Sequence, residues 1–125
     1  MSPEGMLHEE LSHEILGAAM RVLNILKPGL DEKAYENAMI IALRKRGVRT
    51  EQQQRFNVYY EGDLVDTLVP DLIVGDQVIV DPKVVEDFTP THVAQMMGYL
   101  AVTEKRLAIL LNFKHADLRW KRVVR

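Results

Sequence analysis

Two carboxylates and an amine interrupt the most apolar stretches of this sequence. Leu68-Val69-Pro70-Asp71-Leu72-Ile73-Val74 holds one acid, and Val78-Ile79-Val80-Asp81-Pro82-Lys83-Val84-Val85 holds an acid and a base. In an extended chain Asp81 and Lys83, two residues apart, point to the same face. A continuous apolar run marks a strand covered on both faces, where an unpaired carboxylate costs several kcal/mol or more. Two chemistries would meet that cost. Lys83 neutralises Asp81 or Asp71 in a structural ion pair, or the acids on adjacent strands give hard oxygen ligands to Mg²⁺ or Mn²⁺. In the second case the lysine orients or deprotonates a water, or offsets negative charge on a phosphoryl oxygen.

The elements that must position these groups follow from the hydrophobic period. Leu11, Ile15, Ala19, Val22 and Leu26 form one helical stripe, stopped by Pro28-Gly29. A second helix starts with Asp31 as its N-cap, carries Tyr35, Ala38, Met39 and Ala42, and ends at Arg44-Lys45-Arg46-Gly47. From Gln54 the period becomes two, which predicts a strand bearing Phe56, Val58 and Tyr60 on its buried face. Glu61-Gly62-Asp63 turns into a long second strand, Leu64 to Val74, and Gly75-Asp76 turns into a third, Gln77 to Val85. Thr89 caps a helix with Pro90 at its first position; this helix carries Val93, Met96, Met97 and Leu100. Leu107 to Asn112 reads as an interior strand and Leu118 to Val124 as an edge strand. The order α-α-β-β-β-α-β-β predicts one α/β domain, residues 1–125, with a mixed sheet.

Register then becomes a condition on the metal site. A two-residue turn at Gly75-Asp76 would pair Val74 with Gln77 and Asp71 with Val80, sending the two carboxylates to opposite faces. The metal site requires an odd-length loop, such as Gly75 to Gln77, or a bulge.

Composition sets the outer limits. The chain has 125 residues, a formal net charge of -2 and no cysteine, which excludes disulfides, thiolate zinc sites and cysteine nucleophiles. Met1 to Glu10 is polar and acidic, unlike a signal peptide, and no apolar run approaches the ~20 residues needed to span a bilayer. The expectation is a soluble cytoplasmic protein with no membrane partner. Near-neutral charge also argues against nucleic-acid binding through the overall field alone.

Pro70-Asp71, nine intervening residues and Asp81-x-Lys83 resemble the PD-(D/E)XK nuclease signature. Gly29-x-x-Glu32-x-x-Tyr35, followed by Glu36, resembles the motif that names the prokaryotic GxxExxY proteins of that superfamily. Gln95-x-x-x-Tyr99 resembles the QxxxY motif of RecB-like members. The resemblance implies a mixed β-sheet flanked by helices, with the α-β-β-β-α-β core of the restriction-endonuclease-like fold and an extra N-terminal helix. It implies that Asp71 and Asp81 hold Mg²⁺ or Mn²⁺ together with the Pro82 carbonyl, and that Glu32 is a further ligand, directly or through water. Lys83 would position the attacking water, Gln95 would orient Lys83 or a phosphate, and Tyr99 would support Gln95. The implied reaction is hydrolysis of a phosphodiester in DNA or RNA. A homodimer or a separate partner would complete a cleft that so short a chain has little room for.

Asp81 stands where the GxxExxY pattern usually has glutamate, one methylene longer, and Pro82 removes a ladder hydrogen bond if its strand is central. A non-catalytic module of the same fold, used for oligomerisation or for binding protein or nucleic acid, is therefore the alternative. Convergent acids at Asp71, Asp81 and Glu32 favour the enzyme; a closed Lys83–carboxylate pair favours the module. Ordinary readings also exist for single residues. The helix dipole alone favours Glu32, Tyr35 and Tyr99 fall on apolar stripes, and His92 reads as an exposed helix residue or a metal or phosphate contact. The basic residues from Lys114 to Arg125 read as a solvated strand edge or a phosphate contact.

Overall fold

The stripe from Leu11 to Leu26 lies along α1 (Glu9–Leu26), with Ile15, Ala19 and Val22 buried and Leu11 and Leu26 packed partly buried against the same core. The computed structural model describes residues 7–125, so positions 1–6 of the acidic N-terminal stretch lie outside the described residues. α2 (Glu32–Lys45) packs beside α1, and Arg46 reaches back to Glu14 at 3.0 Å. Asp31 occupies the N-cap position of α2, but its side chain caps nothing; its carbonyl accepts from the Ala34 N–H at 3.0 Å.

The main sheet has the order β1-β4-β5-β6-β7, formed by Thr50–Gln52, Leu72–Val74, Val78–Lys83, Leu107–Asn112 and Arg119–Val124. β5 and β6 run parallel and are joined across one face by α3 (Pro90–Thr103); the other neighbours are antiparallel. This is the expected mixed sheet flanked by helices. Two strand boundaries differ from expectation. β1 carries Thr-Glu-Gln, which has no apolar alternation to mark it. The long second strand is divided: β3 (Asp63–Leu68) pairs with β2 (Phe56–Tyr60) in a separate hairpin, while β4 starts only at Leu72. Pro70, without an N–H, cannot carry a ladder through the junction. The hairpin also buries less than expected: Phe56 and Val58 are half-buried and Tyr60 is exposed.

Period-two alternation divides the sheet's side chains between two cores. Leu72, Val74, Val78, Val80, Ile109 and Leu111 pack on α1 and α2. Ile73, Ile79, Ala108, Leu110 and Val123 pack with Met96 and Leu100 of α3. β6 is buried throughout, the apolar run 107–111 and the closing Asn112 alike.

Pro82 lies in a central strand, and the register with β6 continues through Pro82↔Leu111 and Lys83↔Asn112. The Lys83 carbonyl accepts from the Phe113 N–H at 2.9 Å. Backbone groups of successive strand residues point to opposite neighbours, so an N–H at Pro82 would face β4. Pairing with β4 ends at Leu72↔Val80. The expected loss of a ladder bond does not arise, because the donor is missing where there is no strand to receive it.

At α3, Thr89 caps as expected, and His92 completes a reciprocal box: its N–H donates to Thr89 Oγ1 at 3.3 Å, and its Nδ1 accepts from the Thr89 N–H at 3.0 Å. His92 is thus a capping residue. No described helix is long and apolar enough to cross a membrane.

The turn between α1 and α2 is held by one phenol. Tyr35 is fully buried, stacked on Phe113 with centroids 4.7 Å apart. Its hydroxyl donates to the Lys27 carbonyl at 2.6 Å and accepts from the Leu30 N–H at 3.2 Å. Tyr35→Phe leaves both backbone groups short of a partner, and the expected loss is about 1–2 kcal/mol of stability in urea denaturation. An unchanged midpoint would show that the turn does not depend on this hydroxyl.

Candidate metal centre

Glu32 is delivered by the turn that Tyr35 holds. Lys27 and Gly29 take positive φ values of 63° and 119°, a region open to glycine at no steric cost. The chain thereby reverses after α1 and begins α2 at Glu32, three residues before Tyr35 on the same helix.

Asp71 and Asp81 are brought together by the length of one connection. Gly75 and Asp76 have φ values of 60° and 58°, Gln77 N–H donates to the Val74 carbonyl at 3.1 Å, and Val74 pairs with Val78. Three residues, Gly75 to Gln77, therefore separate the paired positions, which is the odd-length loop the metal site requires. Continuing the register one step past Leu72↔Val80 sets Asp71 opposite Asp81. Both lie two residues from Ile73 and Ile79, on the α3 face.

Carboxylate oxygens of Glu32, Asp71 and Asp81 lie within 4.8 Å of one another. Glu32 is exposed, Asp71 half-buried and Asp81 only 4% exposed, so the cluster opens to solvent on the Glu32 side. Lys83 Nζ stands 3.6 Å from Asp81 Oδ2, beyond ordinary hydrogen-bond length. Asp81 Oδ1 is buried and has no donor among the described residues. Burial, first, and then the charge of Asp71 and a hydrogen bond to it push the Asp81 carboxyl up to about 8; Glu32 adds to the shift and Lys83 opposes it. That hydrogen bond exists only when a proton is present, since two ionised carboxylates have none to share. The bare oxygen therefore takes either a proton or a cation.

The donor set suits a hard divalent ion. Three carboxylates supply oxygen ligands, and an octahedral ion with ~2.1 Å bonds holds its ligand oxygens about 3–4 Å apart, close to the scale of this cluster. A hollow of about 950 Å³ beside His8, Leu11, Glu14 and Gln77 lies at the other end of β5 and holds no such cluster among the described residues.

Gln95, expected to orient Lys83 or a phosphate with Tyr99 in support, is exposed, and its Nε2 donates to the Tyr99 hydroxyl at 3.2 Å. Burial and the charges of Asp81 and Asp71 raise the Tyr99 phenol, opposed by the Gln95 hydrogen bond. Two residues at the site carried no sequence-derived role. Glu36 is 4% exposed and accepts at Oε2 from Lys33, Gln52 and Gln53. Gln53 also reaches Asp71. Glu36 sits four residues after Glu32 on one helix face, a spacing that marks it; nothing in Glu51-Gln52-Gln53-Gln54 singles out Gln53.

Because the Asp81 carboxyl is raised, the folded chain holds its proton more tightly than the unfolded chain does. The stability this contributes is complete below the ordinary carboxylate pKa and is lost as pH rises towards about 8. Asp81→Asn keeps the shape without the charge. In metal-free thermal unfolding, the variant is expected to melt about 5 °C above wild type at roughly pH 9, with the gap closing towards roughly pH 4. Parallel curves at all pH values would show that Asp81 carries no uncompensated charge.

A family model for the PD-(D/E)XK nuclease superfamily matches residues 9–123. No curated protein gives a significant match. Among solved structures, SSO0001 superposes with a TM-score of 0.59 at 13% identity; the match covers 93% of this chain and 56% of SSO0001, so this chain spans little more than half of that protein. The alkaline exonuclease LHK-Exo from Laribacter hongkongensis superposes at 0.50 with 13% identity, covering 94% of this chain and 82% of the exonuclease. Its complex with dAMP superposes at 0.52 with 15% identity and the same coverage. At such identities the structural likeness establishes the fold, and the family model, which spans nearly all of the sequence, establishes the kinship. The chain belongs to the PD-(D/E)XK nuclease superfamily.

Proposed function

We propose that this protein is a nuclease of the GxxExxY group that hydrolyses phosphodiester bonds with Mg²⁺ or Mn²⁺. The observation that carries the reading is the convergence of Glu32, Asp71 and Asp81, with one buried Asp81 oxygen that has no donor among the described residues. Asp71 and Asp81 would hold the ion from the sheet and Glu32 from the start of α2. The Pro82 carbonyl is available on the side where β4 has ended. When bound, the ion would ease ionisation of a water and offset charge on the phosphoryl oxygens. Lys83, beside Asp81 with its side chain 12% exposed, would hold that water and stabilise charge as it develops. Tyr99 and Gln95, at the α3 side, form a polar pair for a substrate phosphate. DNA is the favoured substrate, because a neighbour in fold is an alkaline exonuclease solved with dAMP.

The 3.6 Å approach of Lys83 to Asp81, with both side chains mostly enclosed, favours a second reading. In it the lysine compensates the acid permanently and the chain is a binding module of nuclease fold.

Mn²⁺ calorimetry with cleavage assays on single- and double-stranded oligonucleotides separates the two. For the nuclease, Asp71→Ala is expected to lose Mn²⁺ binding and cleavage together. Lys83→Ala is expected to keep Mn²⁺ binding and to lower the cleavage rate by about 100-fold or more. Absence of Mn²⁺ and Mg²⁺ binding in the wild type, with no cleavage, rejects the nuclease and leaves the module. Below about pH 8 the binding of Mn²⁺ is further expected to release protons, because Asp81 must ionise to take part. Calorimetry in buffers of different ionisation enthalpy measures that release.

A further inference from the structure

Gln53 lies between Asp71 and a second acid, Glu36. It is a non-glycine residue with a φ of 56°, a left-handed conformation that side-chain-bearing residues seldom adopt. It follows β1 directly, at the edge of the main sheet. In this conformation it holds Asp71 twice: its N–H donates to the Asp71 carbonyl at 3.0 Å, and its Nε2 reaches Asp71 Oδ1 at 3.3 Å. The same Nε2 lies 2.9 Å from Glu36 Oε2.

Glu36 is in turn held firmly. Its Oε2 also accepts from Gln52 Nε2 at 2.6 Å and from Lys33 Nζ at 3.1 Å, and the residue is nearly closed off from solvent. A buried carboxylate ringed by donors is satisfied and has no need of an ion. Its place in the fold makes it an anchor: it fixes the amide of Gln53, and Gln53 fixes the carboxylate of Asp71.

We infer that Gln53, anchored by Glu36, is a positioning residue that sets the rotamer of Asp71 for divalent-metal binding. This rests on the reading of Asp71 as a metal ligand. Asp71 precedes β4, so the register sets the face it points to but not the rotamer of its side chain. The side chain needs a clamp from elsewhere, and Gln53 supplies one at both the backbone and the carboxylate. Partners of metal-ligating carboxylates typically change metal affinity 10–100-fold when removed.

The test uses the whole chain and two measurements, Mn²⁺ calorimetry and metal-free urea denaturation. Gln53→Gly removes the side-chain contact to the Asp71 carboxylate, keeps the N–H that donates to the Asp71 carbonyl, and suits a positive φ better than glutamine does. Its Mn²⁺ affinity is expected to fall about 10-fold, while the metal-free urea midpoint stays level or rises. The Mn²⁺ concentration for half-maximal cleavage rises by the same factor. Gln53→Asn, which tolerates the same backbone region with a shorter reach, is expected to behave alike. A fall in stability that accounts for the lost affinity would mark a structural role and overturn the inference. Mn²⁺ affinity within twofold of wild type for Gln53→Gly, with binding lost in Asp71→Ala, would overturn the inference while leaving the metal site intact. Absence of Mn²⁺ binding in the wild type would reject the metal site, and the inference with it.

Discussion

An ionised Asp81 would place one bare oxygen in a protein interior, and the arrangement around it is organised by that electrostatic demand. Lys83 stands near the other oxygen, 3.6 Å away, and offsets only part of the cost. Asp71 and Glu32 add negative charge where a folded protein left to itself would reduce it. Three acids gathered around one amine are an unfavourable arrangement for stability alone. They become favourable when a proton or a divalent ion enters. Perturbed groups of this kind concentrate at functional sites, and here the perturbation has a geometric cause that can be traced.

That cause is the register between β4 and β5. Pairing Val74 with Val78 turns Asp71 and Asp81 to the same face of the sheet as Ile73 and Ile79. A shift of one residue would leave the fold's apolar inventory intact and scatter the acids. Gly75 and Asp76 make the three-residue connection by adopting left-handed backbone. The sheet's end then receives Glu32 from α2, whose start depends on the Tyr35 hydroxyl and on Gly29. The three residues of the Gly29–Glu32–Tyr35 motif thus divide the labour: one reverses the chain, one points to the cluster and one holds the turn in place.

Much of the architecture was legible before any coordinate. The helical stripe of α1, the apolar run of β6 and the Thr89–Pro90 start of α3 follow from period and capping chemistry, which are local properties. β1 was not legible, because Thr-Glu-Gln owes its extended form to pairing with β4 rather than to its own pattern. The division between β3 and β4 is hidden for a related reason: Leu64 to Val74 is mostly apolar, and Pro70 marks where the chain changes partners. Pro82 shows the reverse. As a strand-interior proline it suggests damage, and the sheet absorbs it because β4 ends short of it. Gln53 was invisible in a run of like residues; only its backbone conformation and its two carboxylate neighbours distinguish it.

The sequence by itself determined which residues are able to take part. Asp71, Asp81 and Lys83 stand out because charge inside apolar runs is costly, and Asp81 and Lys83 share a face because strand periodicity is two. It also determined a condition, that the loop between the two acids be odd. Tertiary structure decided whether the condition is met, since loop length in a hairpin is set by pairing between strands and not by either strand alone. It decided as well that Glu32 arrives from another layer, that Gln95 donates to Tyr99, and that Asp81 Oδ1 has no donor among the described residues. Burial and the absence of a partner depend on every element that surrounds an atom, so no local pattern can encode them.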